Sequence, residues 1–181
     1  VDTVEYQSAL AGITVNLKTG TASSTDASNT AKIGTDTLVD IENIIAGEFN
    51  DTLIGNASPN SIDGGLGIDT VVYDSAKVTT TKSSTSILIN GDTLTNIERV
   101  QFTDTSVAFD IAGANSAGGI YRTYLAAFNR TPEKTGFGYW IDRADNGASA
   151  VQMAEEFVWS AEFEALYDVT TNDSYLTGNN I

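Results

Sequence analysis

Residues 46–72 read AGEFNDTLI, GNASPNSID and GGLGIDTVV, three nonapeptides in immediate succession. The third fits the pattern G-G-x-G-x-D-x-U-x, with U a large apolar residue, and the two before it keep the same phase. In such a unit six residues turn and three extend, so the apolar eighth position, here Leu53, Ile62 and Val71, points inward on each half-coil. Glycine at positions one, two and four opens backbone conformations closed to residues with a Cβ and lets main-chain oxygens converge. Position six carries the polar ligand: Asp51, Asn60 and Asp69, with Glu42 in the same place one half-coil earlier.

Outward from this stretch the chain repeats itself. DTVEYQSA from Asp2 returns as DTVVYDSA from Asp69, and GTDTLVDIENII from Gly34 returns as NGDTLTNIERVQF from Asn90. One supersecondary unit is therefore used about twice. Because the Asp69 copy follows GGLGI, an equivalent stretch is expected before Val1, and the chain reads as a piece of a longer protein. Ile13, Val15 and Leu17 alternate with Thr14 and Asn16 as a half-buried strand, residues 18–32 read as a polar loop or solvated hairpin, and residues 99–110 as a capping hairpin that sets Val100 and Phe102 against Val107 and Phe109.

At about Ala112 the apolar spacing changes from strand to helix. Ile120, Tyr124, Leu125 and Phe128 make one stripe, Thr131 and Pro132 read as a helix start, and Asn146 with Gly147 as its end. Ser149 and Gln152 form a capping box for a helix with Val151, Met153, Phe157 and Val158, and Ser160 caps a last helix through Tyr167. Arg130 is placed to brace a helix end or pair with Glu162, whereas Glu155, Glu156, Glu162 and Glu164 read as a solvated face. A further unit is entered at Asp173–Ile181. The expected fold class is α+β in two domains: a parallel β-roll (β-solenoid) over residues 1–111, then a small all-α domain of four helices over 112–181.

The 181 residues carry a formal charge of −15 and contain neither cysteine nor histidine. An excess of carboxylates argues against nucleic acid and anionic membrane as partners. Missing thiolate and imidazole removes the common zinc ligands and the commonest general base, leaving hard oxygen donors, which suit Ca2+. Alternate half-coils lie on one side of the roll, so position-six partners are eighteen residues apart. Asp51 would face Asp69 and, with the carbonyls of Gly64, Gly65 and Gly67, make the better calcium site; Glu42 and Asn60 would make a weaker or empty one. No apolar run approaches a membrane span, and no nucleophile motif, phosphate loop or dinucleotide fingerprint is present, so neither membrane insertion nor enzymatic activity is expected.

The run IENIIAGEFNDTLIGNASPNSIDGGLGIDTVVY, and residues 1–111 with it, resemble the RTX calcium-binding region of proteins exported by type I secretion in Gram-negative bacteria. That resemblance implies a calcium cofactor, folding outside the cell, and a secreted or cell-surface location. Residues 117–167 resemble a helical domain of unknown function common in RTX and surface-layer proteins and distantly similar to phycobilisome linkers, through Tyr121, Phe128, Arg130, Pro132, Gly136, Tyr139, Trp140, Phe157, Ser160, Glu162, Phe163 and Tyr167. It implies assembly or partner contacts and no chemistry. The functional expectation is a calcium-binding structural segment supporting assembly or adhesion, with copies of itself or other surface-layer subunits as partners. Two alternatives stay open: the secretion and folding tail of a hydrolase, and a carbohydrate-binding module with glycan partners.

Overall fold

The structure is a computed structural model and describes residues 1–167. The expected further unit at Asp173–Ile181 lies outside the described residues. Contacts divide the chain into Val1–Phe109 and Asp110–Ile181.

The first unit holds thirteen short strands in two sheets. One sheet runs β1 (Thr3–Glu5), β5 (Asn43–Ile45), β7 (Ser61–Asp63), β11 (Asp92–Thr95), β10 (Ile87–Ile89) and β9 (Thr80–Lys82). The other runs β13 (Ser106–Ala108), β12 (Arg99–Gln101), β8 (Thr70–Val72), β6 (Thr52–Ile54), β2 (Ile13–Asn16), β3 (Thr21–Ser24) and β4 (Thr35–Thr37). Through residues 43–72 successive strands alternate between the sheets, and the parallel register is eighteen residues, Ile44 against Ile62 and Leu53 against Val71.

This corrects the expected fold class. The described residues form two mixed sheets and four helices, not a parallel β-roll followed by an all-α domain. Parallel pairing is confined to β1-β5-β7-β11 and β2-β6-β8-β12, while β2-β3-β4, β9-β10-β11 and β12-β13 are antiparallel. Local turn chemistry is the reason. Asn90 and Gly91, both at positive φ, close the β10–β11 hairpin, and Thr105 O accepts from Phe102 N to turn β12 into β13. The first turn reverses the chain where a nonapeptide would have carried it forward; the second is the hairpin expected over residues 99–110, with Val100 opposite Val107. Residues 18–32, read as a polar loop or solvated hairpin, contribute the strand β3, which pairs antiparallel with β2.

Alternation buries one face of each strand. Val15, Leu53, Val71 and Val100 from one sheet meet Ile44, Ile62, Ile89 and Leu94 from the other in a single core, and Ile13, Val15, Leu53, Ile62 and Val71 are fully buried. At roughly 2–3 kcal/mol for each such side chain, these inward positions hold the sheets together.

The second unit contains α1 (Ala117–Phe128), α2 (Lys134–Asp145), α3 (Ala150–Val158) and α4 (Ala161–Tyr167). Ser116 caps α1, and Ser149 and Gln152 make both bonds of a capping box on α3. The start of α2 is later than the Thr131-Pro132 reading: Glu133 is the N-cap, and its carboxylate turns to Arg130 instead of the helix end. Tyr124, Phe128 and Phe157 pack as a tilted and edge-on aromatic trio with Trp140 and Phe163 at its margin, whereas Leu125, Tyr139 and Val151 face outward. Arg130 Nε and Nη2 grip both oxygens of Glu162 at 2.6 and 2.9 Å, and Arg143 pairs with Glu156, so those two glutamates are ion-paired and not merely solvated.

Candidate metal centre

The turns 46–51 and 64–69 stack one above the other, as the eighteen-residue spacing requires. Leu66 N donates to Gly47 O at 3.0 Å and Ile68 N to Asn50 Oδ1 at 2.9 Å. Gly65 makes this approach possible: its φ is +87°, and a Cβ there would stand 2.0 Å from Gly47 O.

Asp51 and Asp69 are both buried and meet, but not as two carboxylates across a gap. Asp51 N donates to Asp69 Oδ1 at 2.8 Å, and Asp51 spends its own oxygens on Ile13 N at 2.8 Å and Gly47 N at 3.0 Å. Asp69 N in turn donates to Glu98 Oε2 at 3.0 Å. A line of side-chain oxygens clamping main-chain amides thus runs from Ile13 through Asp51 and Asp69 to Glu98.

One atom in the line is left over. Asp69 Oδ2 is buried and accepts no hydrogen bond. It lies against Gly64, where a Cβ would come within 2.6 Å of it. Burial, with Asp51, Glu98 and Asp63 adding like charge, pushes the Asp69 carboxyl up to about 8 although the Asp51 amide opposes the shift. Burial also raises Asp51, against the bonds from Gly47 and Ile13. The Asp69 carboxylate needs a proton or a cation at Oδ2.

Glu42 and Asn60 meet differently. Asn60 Nδ2 donates to the main-chain oxygen of Glu42 at 2.7 Å and its Oδ1 accepts from Asn56 N at 2.9 Å, while the Glu42 carboxylate accepts from Asp2 N at 2.7 Å. The amide of Asn60 thereby satisfies itself without an ion.

Among the described residues no group of three or more Asp or Glu side chains is gathered to hold a metal. With both Asp51 oxygens engaged by main-chain amides, Asp69 Oδ2 is the buried carboxylate oxygen left over at this turn; Gly64 lies beside it, and Gly65 and Gly67 belong to the same turn. The donors are all hard oxygen, which suits calcium.

Sequence reasoning missed Glu98 as the clamp on Asp69, and two phenol–carboxylate pairs, Tyr6 Oη to Asp36 and Tyr73 Oη to Asp92, each 2.8 Å. In both tyrosines burial first and the carboxylate second push the phenol up. The signal was present in the internal duplication, which matches Tyr6 with Tyr73, Asp36 with Asp92 and Glu42 with Glu98.

A polar hollow of about 370 Å³ opens beside the β3–β4 connection, lined by Ser23, Thr25, Asp26, Asn29, Gly34 and Thr35. It lacks the flat aromatic face on which a sugar ring stacks. Comparison of the chain with protein-family models, with curated proteins and with solved structures finds no match.

Proposed function

We propose that this chain is a calcium-binding structural segment of a secreted or surface-displayed bacterial protein, in which the ion supports folding and the helical unit serves assembly or adhesion. The observation that carries the reading is Asp69 Oδ2, a buried carboxylate oxygen with no hydrogen bond at a turn rich in glycine. A cation there relieves the cost of the charge, and a chain without histidine or cysteine offers it only hard oxygens. The resemblance of residues 46–72 to RTX repeats supports calcium over magnesium, which keeps its waters and demands octahedral geometry. Nothing in the site carries a reaction, and the reading assigns none.

Calorimetric titration with calcium chloride at pH 8, followed by light scattering, tests it. The expected result is binding with a Kd of roughly 0.1–1 mM, lost in Asp69→Asn and absent with magnesium. At ten times Kd each bound ion adds about 1.4 kcal/mol to folding. A chain that neither evolves heat nor gains stability with calcium refutes the reading; scattering that rises with calcium favours the assembly role.

A further inference from the structure

Three successive turns close in two different ways, and the difference lies in one amide. In the turn 46–51, Gly47 N donates to Asp51 Oδ2 at 3.0 Å, and in the turn 55–60, Asn56 N donates to Asn60 Oδ1 at 2.9 Å. Each of these turns ties its sixth side chain to the main chain four residues back. The matching amide of the third turn is Gly65 N, and it goes elsewhere. It donates at 3.1 Å to Asp63 Oδ1, an oxygen that also accepts from Asn96 Nδ2 at 2.8 Å. Of Gly47, Asn56 and Gly65, only Gly65 is at positive φ. Asp69 Oδ2, the counterpart of the oxygen that Gly47 serves in Asp51, is left without a hydrogen bond.

The sequence supplies the cause. The residues that lead into the three turns are Ile45, Ile54 and Asp63. Isoleucine has no acceptor to offer, whereas an aspartate takes the amide two residues on and so competes with any other partner for it. The neighbouring connection between β11 and β12 fastens the arrangement: Thr95 O accepts from Gly64 N at 3.0 Å, and Asn96, at φ +51°, sends its side-chain amide to Asp63. We infer that Asp63, held by Asn96, is a positioning residue that draws the Gly65 amide away from Asp69 and so keeps Oδ2 open for a cation. That the cation is calcium rests on the reading proposed above; the diversion of the amide stands without it. With Asp63 removed, the third turn closes on itself as its two neighbours do, and the Asp69 carboxylate takes an N–H in place of an ion.

The test reads the partner of Gly65 directly, through NMR couplings across hydrogen bonds in the labelled full chain in chelator. In the parent, Gly65 N couples to the carboxyl carbon of Asp63; in Asp63→Ala it couples to that of Asp69. Asp63→Asn keeps an oxygen for both donors and retains the parent's pattern. Should Asp63→Ala not fold, Asn96→Gly, which suits the positive φ at that exposed position, loosens the same latch and divides the coupling between the two carbons. Calcium titrations follow: a turn closed in nine molecules of ten weakens apparent binding about tenfold, the loss expected for Asp63→Ala, with Asp63→Asn within about threefold of the parent. A Gly65 amide that stays off Asp69 in Asp63→Ala overturns the inference, as does a parent whose turn is unstructured in chelator. Equal calcium affinity in the parent and a switched Asp63→Ala overturns it too. A parent that shows the switch but binds no calcium removes the ion reading and leaves the diversion of the amide standing, so the two failures are distinct.

Discussion

Replacing Asp69 by asparagine separates the charge of this side chain from its shape. The amide keeps an oxygen for Asp51 N, and Asn60 already shows that an amide at position six finds a local carbonyl for its Nδ2. With the folded carboxyl at about 8 and the unfolded one near 3.8, the folded state holds a proton that the unfolded state has released. Stability from this group is therefore complete below pH ~4, falls as pH rises, and levels off above pH ~8. Each tenfold difference in proton affinity between the two states is worth about 1.36 kcal/mol, which brings the linkage to about 4 kcal/mol at pH 7 and about 5 at pH 8; relaxation around the charge reduces this to about 2. In chelator at pH 8, Asp69→Asn is therefore more stable than the parent by roughly 2 kcal/mol in urea melts, and its stability falls less steeply than the parent's as pH rises, the remaining slope coming from Asp51. In saturating calcium the order narrows or reverses, because only the parent gains from the ion. A variant less stable than the parent in chelator at pH 8, or one that keeps the parent's pH slope, refutes the argument that a buried charge at Asp69 is what the fold must accommodate.

Gly65→Ala sets a Cβ against Gly47 O at a positive φ; a loss of about 2 kcal/mol or more is expected in urea melts, with calcium binding lost alongside. Tyr73→Phe takes the partner from Oδ2 of the buried Asp92, whose Oδ1 keeps the Asn60 amide, and costs about 1–3 kcal/mol at pH 8, whereas Tyr6→Phe leaves the more open Asp36 and costs less, as paired melts will show. Leu53→Ala empties a fully buried position between the sheets and lowers stability by about 2–5 kcal/mol. Ser149→Ala removes the capping box of α3 and reduces helical circular dichroism on heating, with a loss of about 1 kcal/mol.

What could be read from the letters was set by period and by caps. Nine-residue spacing placed Leu53, Ile62 and Val71 in the core and set Asp51 beside Asp69 at a distance of two half-coils, and Ser149 with Gln152 marked a helix start. Outside 43–72 strand direction was legible at the 99–110 hairpin, where Val100 pairs with Val107, but not at β2-β3-β4 or β9-β10-β11, since Gly20 and the Asn90-Gly91 pair decide it through single backbone torsions and convert a continuing coil into meanders. The destination of the Asp51 carboxylate was hidden for another reason. A ligand for an ion and a clamp for an amide both require an acceptor oxygen in the same turn, and only the position of Ile13, thirty-eight residues away, separates them. At α2 the Thr131-Pro132 signal was overridden because Arg130 draws Glu133 into an ion pair.

The matched halves of the duplication are 67 residues apart at Asp2 and Asp69 but 56 apart at Asp36 and Asp92, so the first copy carries eleven more residues between them. Both copies nevertheless close with the same tyrosine on the same aspartate. The surplus falls in the span between Tyr6 and Asp36, which includes the stretch from Thr25 to Gly34, knotted on itself by Asp26 accepting from Ser28 and Thr30 and by Asn29 accepting from Gly34. That span is where this architecture absorbs added length at little energetic expense. A guest peptide spliced between Ala27 and Ser28 should leave the surrounding strands in register, making this connection the natural place to display foreign sequence.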